Sequence, residues 1–179
     1  MNSTRFVLAA MVLGTALGSS QANAQCSDNN GTCNTTNTAS VSVGALVKLG
    51  MSSGSTTLTN PTADNLDGGA VLQNTGPTFT IKANRSWTLK IKSGNALNWT
   101  YAGANAGVKP IGHLAWATAP AGVYAAITDI DATFTSGAGA TNSGAASSFF
   151  RTTWLADFVD ASNREGTYSL PIVFTLSAP

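Results

Sequence analysis

From residue 41 to the C-terminus, apolar and polar positions alternate in short runs of period two, the spacing that puts successive side chains on opposite faces of a β-strand. The longest run closes the chain. Between residues 166 and 179, Tyr168, Leu170, Ile172, Phe174 and Leu176 share one parity, and Ser169, Pro171, Val173, Thr175 and Ser177 the other. This predicts a half-buried C-terminal strand, with Pro171 marking an open edge or a bulge because it has no N–H to give to a ladder. The clearest internal strand covers 86–92, with Trp87, Leu89 and Ile91 inward and Thr88, Lys90 and Lys92 outward. A first strand is expected over 41–49 (Val41, Val43, Ala45, Val47, Leu49), and a short one over 55–59. Others fall at 70–73, 78–82, 97–101, 111–116, 123–128, 132–135 and 149–155. The two lysine-bearing strands, 78–82 and 86–92, read as hairpin partners.

Turn formers fill 60–69, and 102–110 is a Gly/Ala/Asn loop. Residues 136–148 are almost wholly Gly, Ala, Ser, Thr and Asn and read as a mobile low-complexity loop, while 156–164 has room for one short helical turn. Beyond the first 24 residues no stretch carries a helical stripe. Strands at intervals of roughly 8 to 12 residues with Gly/Asn turns predict an all-β chain, an antiparallel immunoglobulin-like β-sandwich. Its expected core is Val43, Val47, Phe79, Ile81, Trp87, Leu89, Ile91, Leu114, Trp116, Tyr168, Leu170, Ile172, Phe174 and Leu176.

The N-terminal end changes the picture of where such a domain works. Residues 1–24 have the layout of a secretory signal peptide: Arg5, an apolar run over 6–18, and the small-x-small site Ala22-Asn23-Ala24. Export to the extracellular space or cell surface is therefore expected, with Gln25 as the new N-terminus. The apolar run is shorter than the ~20 residues of a membrane-spanning helix, and no later run is longer, so no transmembrane segment is expected in the mature chain. Residues 25–39 form a polar lead-in with no periodicity, and 40–179 is expected to be one domain. Cys26 and Cys33 flank a turn containing Asn30-Gly31, and in an oxidising compartment a disulfide is their expected state. Formal charge is +1 overall, with Arg5 in the leader, so the exported part is balanced and carries no bulk attraction for nucleic acid.

Two pieces of the pattern together resemble the bacterial WxL cell-surface domains. One is Trp87-Thr88-Leu89, preceded by Asn84-Arg85 in a turn; the other is Tyr168, Ile172, Phe174 and Leu176 in a terminal strand ending at Pro179. Phe174 stands where that family has a second Trp. The resemblance implies a non-catalytic role in attachment to the bacterial cell wall. Pilin-type subunits are a second comparison, but their donated N-terminal strand is apolar and alternating, whereas 25–39 is polar throughout and this chain keeps its own last strand.

Candidate chemistry is sparse. His113 is the one histidine, in a strand-like run where a hydrogen-bonded structural role is ordinary. No Gly-x-Ser-x-Gly or His-Glu-x-x-His motif occurs, and the acids sit beside Gly and Asn in turns, so no catalytic residue is assigned. Calcium is the small-ligand candidate, through Asp64 with Asp67 and Asp129 with Asp131, although hard cations take six to eight oxygens and solvated turns explain these acids as well. Trp99 and Trp154 are the tryptophans with a claim to a surface platform for carbohydrate stacking. The function expected from the sequence is a non-catalytic structural or adhesion protein at the surface. The alternatives are a carbohydrate-binding module and a self-assembling subunit that associates by strand pairing.

Overall fold

Every strand pairing in the computed structural model is antiparallel, and the described residues are 31–179. The expected signal peptide and Cys26 lie outside them. The chain divides into a unit Met1–Ser42 and a unit Val43–Pro179. In the first, residues 31–42 are exposed and form no strand or helix.

The second unit holds ten strands: β1 (Val47–Met51), β2 (Ala70–Ala83), β3 (Trp87–Ser93), β4 (Thr100–Ala102), β5 (Leu114–Ala117), β6 (Ala125–Ala126), β7 (Ala132–Gly137), β8 (Thr141–Trp154), β9 (Thr167–Ser169) and β10 (Ile172–Ser177). A five-stranded sheet runs β1-β2-β8-β5-β6, a three-stranded sheet runs β10-β3-β7, and β4 pairs with β9. The two larger sheets share one core. Phe79 and Ile81 of β2 and Phe150 of β8 meet Leu89 and Ile91 of β3 and Phe134 of β7, all buried. The chain is thus all-β, as the period-two pattern predicts.

Alternation placed most of the core correctly. Phe79, Ile81, Trp87, Leu89, Ile91 and Leu114 are buried, and Trp116, Tyr168, Leu170, Ile172, Phe174 and Leu176 pack against them half-buried. Val43 and Val47 are corrections: they are 71% and 43% exposed, because β1 begins only at Val47 and of this run just Leu49 reaches the core. Trp99, Ile111 and Ile127 join the core from short or irregular segments, and Phe134 of β7 and Phe150 of β8 from strands in which no long alternation announces them.

Three other expectations are overturned by pairing. The strands at 70–73 and 78–82 are one continuous β2, whose register against β8 shifts between Thr75 and Thr78 and again between Ile81 and Ala83. Pro77 has no N–H for the ladder at the first of these, and the buried Ser148 hydroxyl donates to its carbonyl at 2.7 Å. A Cβ on Gly76 would overlap the Phe150 ring, so the bulge needs glycine. The expected loop 136–148 is largely the first half of β8, whose Gly, Ala and Ser residues have low strand propensity but pair along β2 from Thr141↔Ala83 to Ser147↔Thr78. The β2–β3 hairpin does not form either. The two strands belong to different sheets, each laying its apolar face on the same core from opposite sides.

The long terminal strand is split. Tyr168 belongs to β9, opposite Tyr101, and the chain restarts as β10 after Leu170-Pro171. Its parity holds across the break: Tyr168, Leu170, Ile172, Phe174 and Leu176 all turn inward. Residues 55–59 form no strand, and the expected loop 60–69 contains the helix α1 (Ala63–Gly68), started by a reciprocal Thr62/Asn65 capping box. A 3-10 turn, Ala161–Asn163, falls where one helical turn was expected.

Phe79→Ala should cost about 3–5 kcal/mol of unfolding free energy, since it empties the centre of the shared core. Val43→Ala should stay within about 0.5 kcal/mol. Urea denaturation of both variants beside wild type checks the corrected core.

Candidate binding cleft

The core is left uncovered along one side. A cleft of about 900 Å³ is floored by Leu114 of β5, by Phe150, Thr152 and Trp154 of β8, and by Pro77, Trp99 and Lys109. Residues 53–61 form one wall and residues 163–172 with Phe174 the other. The first wall is a strap without strand pairing. It is tied by Ser52 N–H to the Thr78 carbonyl (2.9 Å), and by the Thr59 N–H and hydroxyl, both donating to Asn74 Oδ1 (2.9 and 2.7 Å). The second wall carries β10, at the edge of its sheet. Leu170, Ile172 and Phe174 point to the core yet are only half-buried, because they line the cleft.

At the floor sits a buried lysine. Lys109 is fully buried, its Nζ donates to the Thr153 carbonyl at 2.8 Å and lies 3.8 Å from the centre of the Trp154 ring. Burial lowers its pKa from 10.5 to about 8, and the Asp160 carboxylate opposes that shift. The loop carrying it is pinned on both sides, by Trp99 N–H to the Lys109 carbonyl (2.8 Å) and by Val108 N–H to the Ala161 carbonyl (2.8 Å). His113, in the 3-10 turn Ile111–His113 rather than a strand, has its pKa lowered by burial and then by Lys109, against Asp160. Asp160 is held low chiefly by hydrogen bonds from Ser162, whose N–H donates to Oδ1 at 2.7 Å.

Tyr168 stacks against Tyr101 (4.9 Å between centroids) and edge-on to Trp154 (6.4 Å), and its hydroxyl donates to the Arg164 carbonyl at 3.0 Å. Burial, then Tyr101, raises its pKa. Tyr101 in turn donates to the Glu165 carbonyl, and Gly166, at φ +152, leaves room for its ring where a Cβ would collide.

Two buried polar atoms in this cleft have no protein partner: the hydroxyl of Thr152, itself 2% exposed, and Nε1 of Trp154. They sit two residues apart on β8 and both side chains line the cleft. Both atoms are closed off from the open part of the cleft, and buried polar atoms without partners are rare, so they mark the costliest burial in the domain.

Of the residues singled out in the sequence, Trp99 needs correction as a surface platform. It is 7% exposed and its Nε1 is spent on the Pro110 carbonyl at 3.1 Å. Trp154 is half-buried in the cleft. Trp87 and Leu89 are core residues of β3, and the strands bearing the two halves of the resemblance are hydrogen-bonded neighbours, with Leu176 opposite Leu89 and Phe174 opposite Ile91. Cys33 is disulfide-bonded. Asp131 is the partner of Lys90 (3.8 Å) and Lys92 (3.6 Å), while Asp64 and Asp67 lie on α1. Among the described residues no three His, Cys, Asp or Glu side chains converge, and no helix is long and apolar enough to cross a membrane. Lys109 and Thr152 were not foreseen, since neither stands in a motif and only the packing of loop on sheet buries them. Compared with known protein families, characterised proteins and solved structures, the chain matches none.

Between pH 8 and 10.5 the folded protein holds Lys109 neutral while the unfolded chain keeps its proton. Raising the pH through this window should therefore stabilise the fold, by up to roughly 3 kcal/mol. Below pH 8 the whole penalty is present. Lys109→Met should remove this rise, as measured by urea midpoints at a series of pH values; Tyr168, common to both proteins, cancels in the comparison.

Proposed function

We propose that the protein is an exported, non-catalytic β-sandwich of immunoglobulin-like type that serves as a structural or adhesive subunit at the bacterial cell surface. The observation that carries this reading is the uncovered core beside β10, a cleft walled by a sheet edge and an unpaired strap rather than by converging acids and bases. Lys109 is the one side chain there with a reactive group of strongly lowered pKa, and it is fully buried with its amine donated to a backbone carbonyl. That makes it a pin between loop and sheet rather than a nucleophile. The polar lead-in, the near-neutral charge and the resemblance to WxL domains fit a surface protein that associates with the wall.

A second reading is favoured by the aromatic lining of the cleft: it takes a sugar of a wall or surface polysaccharide, stacked on the rings of Trp154 and Tyr168. Cell fractionation with N-terminal sequencing should find the protein in the envelope or medium, beginning at Gln25. Sedimentation with isolated peptidoglycan and whole envelopes should retain it saturably. Trp154→Ala should weaken retention roughly tenfold if a glycan occupies the cleft, and leave it unchanged if the outer faces of the sheets make the contact.

A further inference from the structure

The cleft and the segment leading into the domain have complementary defects. Along the cleft, β10 offers a free edge, and beneath it Leu170, Ile172 and Phe174 stay half-exposed although their parity is that of the core. An unpaired edge over uncovered apolar side chains is the arrangement that natural sheets avoid by bulges, prolines or lysines. β10 has no charged residue to blunt it.

The segment over residues 35–43 has the opposite defect. Ala39, Val41 and Val43 share one parity, with Ser40 and Ser42 between them, yet Val41 is 89% and Val43 71% exposed and no strand is formed. It carries no charge and no proline, and over 39–43 its apolar/hydroxyl alternation is like that of 174–177 in β10. Nine residues extended at about 3.3 Å each span roughly 30 Å, more than the six residues of β10 require. The segment leaves from a fixed point, since Asn84 accepts from Leu46 N–H (2.8 Å) and donates to the Gly44 carbonyl (2.8 Å).

We infer that residues 35–43 of a second copy of this chain lie along the free edge of β10 and close the cleft, adding a fourth strand to the three-stranded sheet. Ala39, Val41 and Val43 then cover Leu170, Ile172 and Phe174, and the serines face water. An extended backbone supplies carbonyl and N–H groups in the plane of the sheet, which suits the row of groups on the β10 edge. A sugar cannot continue the ladder of that edge. Each copy gives one segment and accepts one, so the contact is head-to-tail and continues into chains unless it closes as a ring. This inference deepens the reading of the protein as a surface subunit and rests on it.

The test uses the exported chain with its N-terminal segment intact. Light scattering after size exclusion should show dimers and larger species of wild type, growing with concentration, and a monomer for Val41→Asp/Val43→Asp. Both substituted residues are exposed, so an unchanged circular dichroism spectrum is expected of that variant. A labelled peptide of residues 34–46 should then bind the monomeric variant, a scrambled peptide should not, and Leu170→Glu in the cleft wall should weaken binding at least roughly tenfold. A wild type that stays monomeric at every concentration overturns the inference, whether the segment folds back on its own cleft or stays free. So does assembly that survives Val41→Asp/Val43→Asp. Wall retention by a strictly monomeric protein overturns it too while leaving the surface reading intact.

Discussion

The structure depends on a cluster of four aromatic rings that joins the two larger sheets. Phe79 of β2 lies 4.4 Å from Phe174 of β10 and 5.6 Å from Phe134 of β7, centroid to centroid; Phe134 also meets Trp116 of β5 at 5.4 Å and Phe174 at 5.6 Å. Two rings come from each sheet. Their tilted and edge-on geometry is the one that aromatic quadrupoles favour, worth about 0.5–1.5 kcal/mol per pair beyond the area buried. Facing sheets sit about 10 Å apart, a distance that large side chains bridge from both sides and small ones do not. With few charges and many Gly, Ala and Ser residues in the strands, these rings pack with Trp87, Leu89 and Ile91 into the one hydrophobic core of the domain.

That economy explains the cleft. Five strands face three, so the narrower sheet ends at β10 while the floor continues beyond it through β8 to Trp154. The strap and the irregular run before β10 cover this part only partly, because neither makes a ladder with β10 among the described residues. The loop that carries Lys109 closes the deep end. A buried amine is a costly plug, tolerated because a carbonyl accepts from it, an indole face lies under it and Asp160 lends a compensating field. Even so its charged form is disfavoured, and the same burial leaves Thr152 and Trp154 with polar atoms that the protein does not satisfy. An open edge and an uncovered apolar wall thus meet at one place, directly above the polar atoms left without a partner.

β8 shows how far tertiary pairing reaches. Its first half is built of residues with little preference for any regular structure, yet it is a strand because β2 lies beside it over almost its whole length. Small side chains have a use there: a Cβ at Gly144 would meet the Ile81 side chain at 3.2 Å. Farther along, where Phe150 and Thr152 take over the inward positions, the same strand becomes the cleft floor.

Local chemistry made much of this legible in the chain itself. Alternation with period two depends only on which side chains neighbours place up or down, so it identified the all-β class, the inward faces of β3 and of the last strand, and most of the core. It failed where a decision belonged to a distant partner. Whether β2 and β3 pair with each other or face each other, whether residues 141–148 form a strand, and whether Val43 is covered all depend on what lies across the core. The same limit hid the cleft: Lys109 and Thr152 carry no signal in sequence, because burial and a missing hydrogen-bond partner are properties of the assembled sheets. Sequence determined which residues want a strand and a core; only the tertiary structure decided which strands meet, where the core stays open, and which polar groups are left there without a partner, because pairing and desolvation are set by neighbours far away along the chain.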